Sequence, residues 1–85
     1  MSKVKYLNVN AITAAITAGG RGSEVMRDVV RSSYKRNIQM SLADLSALDE
    51  KNLQLAIDVI TYRRQPGWSD DEFCELYVFA TNFAD

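Results

Sequence analysis

Residues 49–65, DEKNLQLAIDVITYRRQ, place polar side chains at Lys51, Gln54, Asp58, Thr61 and Gln65, in steps of three, four, three and four. On a helix of about 3.6 residues per turn that spacing makes one narrow wet stripe. Leu53, Ala56, Ile57 and Ile60 fill one apolar face, and Leu55, Val59 and Tyr62 fill another. A helix that is apolar round most of its circumference has to be covered on most sides. The pattern therefore predicts an all-α fold, a small bundle of four to five short helices around a central helix 49–65.

The flanking segments supply the other helices. Residues 3–9 alternate loosely and suit an extended N-terminal arm or a short strand, with no second strand nearby to pair with. Asn8 or Asn10 can cap the short helix AITAAITA, whose Ile12, Ala15 and Ile16 share a face before Gly19-Gly20 ends it. Ser23 is the expected N-cap of a helix over about 24–37. Val25, Met26, Val29, Val30 and Ser33 form its inner side, and Glu24, Arg27, Asp28, Arg31 and Lys35 its outer side. Glu24 with Arg27 and Asp28 with Arg31 are spaced for i,i+3 pairing. Ser41 opens a short segment with Leu42, Leu45 and Leu48 inward, and a break is expected near Ser46–Asp49. Gln65-Pro66-Gly67-Trp68 has the order of a type II turn. Ser69 and Glu72 then match a capping box, with Trp68 and Phe73 placed as a hydrophobic staple. The last helix should run to about Phe83, with Phe73, Leu76, Tyr77, Ala80 and Phe83 inward, and fold back on helix 49–65 as an αα-hairpin.

An 85-residue chain is expected to form a single domain over 1–85, since a second would lack a core of its own. Its chemistry is sparse. With no histidine and one cysteine, the commonest general base is missing and ordinary zinc sites cannot be assembled. Asp71 and Glu75 stand one turn apart, but acids in the first turns of a helix serve its dipole. No enzymatic activity, metal or cofactor is expected. The glycine loop before Ser23 lacks the Lys-Ser/Thr ending of a phosphate-binding loop and reads as an interhelical link. Cys74, alone, points to a reducing, cytoplasmic setting. The longest apolar runs fall far short of the roughly 20 residues of a membrane span.

The charge is split. Residues 1–40 hold seven basic residues against two acids, a net +5, and residues 41–85 hold three against nine, a net −6. The halves can attract each other, or face separate partners. With catalysis poorly supplied, the expected role is a small intracellular interaction protein that binds a larger macromolecule and regulates or inhibits it. By size alone it sits with accessory or phage-type inhibitor proteins. A protein partner would meet the basic residues Arg21, Arg27, Arg31 and Lys35, or Asp71, Glu75 and Phe79 on the last helix; a homodimer is a further option.

The alternative is nucleic-acid binding through the basic helix 23–37. Ala15, Gly19 four residues on, and Val25 follow a spacing that resembles the helix-turn-helix family. That resemblance implies phosphate contacts by Arg21, Arg27, Arg31 and Lys35. Gly20 and Asp28 depart from it, since the motif puts apolar residues at both places.

Overall fold

In the computed structural model, which describes residues 7–65 and 67–83, the chain is an all-α bundle. Its order is α1 (Val9–Thr17), α2 (Arg21–Tyr34), a 3-10 helix (Leu42–Ala47), α3 (Glu50–Ile60), a 3-10 turn (Tyr62–Arg64) and α4 (Asp70–Phe83). No strand occurs among the described residues. The proposed arm or strand at 3–9 lies largely outside them; of its last residues, Leu7 is buried and Val9 already opens α1.

The bundle has a different centre from the one the 49–65 pattern predicts. It is α2 that packs against α1, α3, α4 and the 3-10 helix Leu42–Ala47 together. Val25, Met26, Val29 and Val30 are wholly buried. Segment 49–65 lies to one side: Leu55, Ala56, Val59 and Tyr62 reach the core, while Ile57 and Ile60 are exposed. α4 therefore packs on α2 and α1, and the αα-hairpin with α3 does not form. The physical reason is the arc that each helix can hide. Four adjacent aliphatics on α2 cover a wide sector free of charge, whereas α3 stops as a regular helix at Ile60 and continues as a 3-10 turn.

The joints explain the boundaries. Asn8 accepts the Ala11 N–H at 3.1 Å and caps α1. Gly19 and Gly20 follow with φ of +90° and +88°, a region open to glycine at little cost. Ser23 does not cap α2, which starts two residues earlier. Its buried hydroxyl donates to the Ala15 carbonyl at 2.6 Å and accepts the Gly19 N–H at 2.8 Å. Because α1 ends without basic residues or a side-chain cap, this hydroxyl satisfies one of its last-turn carbonyls. α2 ends at Tyr34 rather than near Asn37, since Lys35 turns extended. The break before α3 falls where expected, with Asp49 accepting the Asn52 N–H at 2.8 Å.

At the last junction Gly67 has φ +78° and the Trp68 N–H reaches the Gln65 carbonyl at 3.3 Å, as a type II turn requires. Pro66 itself lies outside the described residues. Ser69 accepts the Glu72 N–H at 3.2 Å, but the capping box is completed by a different residue. The Tyr62 hydroxyl accepts the Ser69 N–H at 2.8 Å and donates to Glu72 at 3.4 Å. The Tyr62 ring also stands edge-on to both Trp68 and Phe73, the two residues of the expected staple.

Met26→Ala should cost about 2–5 kcal/mol as a buried truncation, and Ile57→Ala less than about 0.5 kcal/mol, when both are compared by urea denaturation. The reverse order would return segment 49–65 to the centre of the core. Ser23→Ala should cost about 0.5–1.5 kcal/mol, because it removes part-buried hydrogen bonds to the Ala15 carbonyl and the Gly19 N–H of the α1–α2 joint. An N-cap loss at Asp49→Ala should cost about 1 kcal/mol.

Candidate functional site

The segment from Ile38 to Leu45 runs alongside the last turn of α2 and the end of α3. Between them lies an open hollow of about 420 Å³, lined by Ile38, Met40, Leu42, Leu45 and Ile60 with Ser32, Ser33 and Gln39. Its position follows from the joints. The extended backbone at Lys35 turns the chain off α2, and Ser41 caps the short 3-10 helix by accepting the Ala43 N–H at 3.3 Å. That helix is too short to bury all its leucines. Leu48 enters the core and Leu45 is half-buried, whereas Leu42, expected inward, is 74% exposed. Ile60 at 45% and Ile57 at 43%, one turn apart on α3, extend the same apolar surface.

The basic residues expected to act as one face separate. Arg21 bonds Asp44 at 3.0 Å and Glu24 at 3.4 Å, so Glu24 pairs backwards with Arg21 rather than with Arg27. Arg27 and Arg31 remain on α2 and are half-buried; the Arg31 Nε is buried without a hydrogen-bond partner. Lys35 leaves the helix, and its Nζ lies 5.7 Å from the Tyr34 ring centre and 5.6 Å from that of Tyr77. α2 is also enclosed by α1, α3, α4 and the 3-10 helix. A helix-turn-helix needs its second helix free to enter a groove, and here that helix is the most enclosed in the bundle.

On α4, Asp71, Glu75, Cys74 and Val78 border a second open hollow of about 560 Å³. Phe79 is half-buried against the core and stacks on Phe83, with centroids 6.1 Å apart, so it does not stand clear of the bundle. Phe83, expected inward, is exposed, as is Val78. Among the described residues no group of three or more Cys, Asp or Glu side chains is arranged to hold a metal ion. No described helix is long and apolar enough to cross a membrane.

An aromatic cluster that sequence reading missed joins α2 to α4. Tyr34 meets Phe73 edge-on at 5.1 Å and Tyr77 at 5.1 Å. The Arg63 guanidinium lies over Tyr34, Trp68 and Phe73 at 5.3, 5.5 and 5.4 Å and donates to the Tyr34 carbonyl at 3.0 Å. The Tyr34 hydroxyl bonds Asp70 at 3.2 Å. Its phenol is pushed up to about 12, first by a hydrogen bond with Cys74, then by burial, then by the Asp70 carboxylate. The one available signal was the basic pair Arg63-Arg64 between Tyr62 and Trp68.

Compared with protein-family models, curated proteins and solved structures, the chain matches none.

Tyr34 yields a pH prediction. In the unfolded chain its phenol ionises near 10, and in the folded chain near 12. The folded state holds the proton longer, so this group's contribution is fully present below pH 10 and is lost as pH rises towards 12. Phenolate absorbance should show one tyrosine titrating late, and Tyr34→Phe should remove that late step.

Proposed function

We propose that this chain is a small, non-enzymatic intracellular protein that docks a larger protein on the hollow beside Ile60 and thereby regulates or blocks it. The observation that carries this is the exposure of Leu42 and Ile60 in the lining of an open apolar hollow, with exposed Ile57 one turn before Ile60 on α3. Adjoining aliphatics left in water are the common mark of a contact surface. The polar side chains in the hollow are two serines and a glutamine, so it offers no titratable group for acid–base work. The missing histidine and the lone Cys74 support a non-catalytic role in a reducing, cytoplasmic setting.

The residues first expected to carry binding receive less support from their surroundings. Arg21 and Lys35 already have partners within the chain, and Phe79 packs against the core.

Leu42→Asp/Ile60→Asp changes two exposed positions and should leave the fold intact by circular dichroism. In pull-downs from the native cell, a protein captured by the wild-type chain should be lost at least about tenfold with this variant, an effect on the order of 1.4 kcal/mol. Asp71→Lys/Glu75→Lys should leave the capture unchanged. Equal capture by the wild-type chain and Leu42→Asp/Ile60→Asp would remove the hollow from the interaction.

A further inference from the structure

We draw no further inference here: the strongest candidate, the open apolar hollow lined by Met40, Leu42, Leu45 and Ile60 beside the end of α3, is the surface already proposed for docking, and nothing in the structure shows what covers it.

Discussion

Burial of the α2 aliphatics is what the rest of the bundle depends on. Val25, Met26, Val29 and Val30 lose all contact with water because α1, α3, α4 and the 3-10 helix close round them together. In a chain of 85 residues the core is small, so each covering element has to bring its best apolar face to the same place. α1 brings Ile12 and Ile16, α3 brings Leu55, Ala56 and Val59, and α4 brings Phe73, Leu76 and Ala80. Ser23 ties the end of α1 to the start of α2, through a hydroxyl that belongs to α2 but serves the last turn of α1.

That arrangement has a consequence on the far side of α3. A helix placed at the flank of a bundle can bury only one sector, yet residues 53–60 carry apolar side chains over more than one. The remainder, Ile57 and Ile60, faces water, and Ile60 lines one hollow with Leu42, which its own short 3-10 helix could not turn inward. The hollow is therefore the surplus of the packing problem, apolar surface for which this chain has no internal cover. Opposite chemistry governs the α2–α4 junction, where Arg63 and Lys35 lie against aromatic rings and Tyr62 supplies the oxygen that completes the cap of α4.

Local signals in the sequence were read well where they act within a few residues. The Asn8 cap, the glycine turn, the break before α3 and the Ser69 cap depend on neighbours, and they stand at or near the expected positions. Ser23 shows the limit. A serine before a helical run has the look of an N-cap, but the two glycines allow the helix to begin at Arg21, and the hydroxyl bonds an earlier helix instead. The expected surface was harder to read. Arg27, Arg31 and Lys35 share a stripe only if the helix continues past Tyr34, and it does not.

The sequence by itself determined that this chain is helical, roughly where its helices begin and end, and that segment 49–65 carries more apolar surface than one face can hide. Those are properties of spacing and capping, which operate within a turn or two. Tertiary structure alone decided which helix is enclosed, that Tyr62 replaces Glu72 in the cap, and that the excess lies beside Leu42. Each of these depends on which long-range faces meet, and spacing along one helix records how much surface must be covered without recording what covers it.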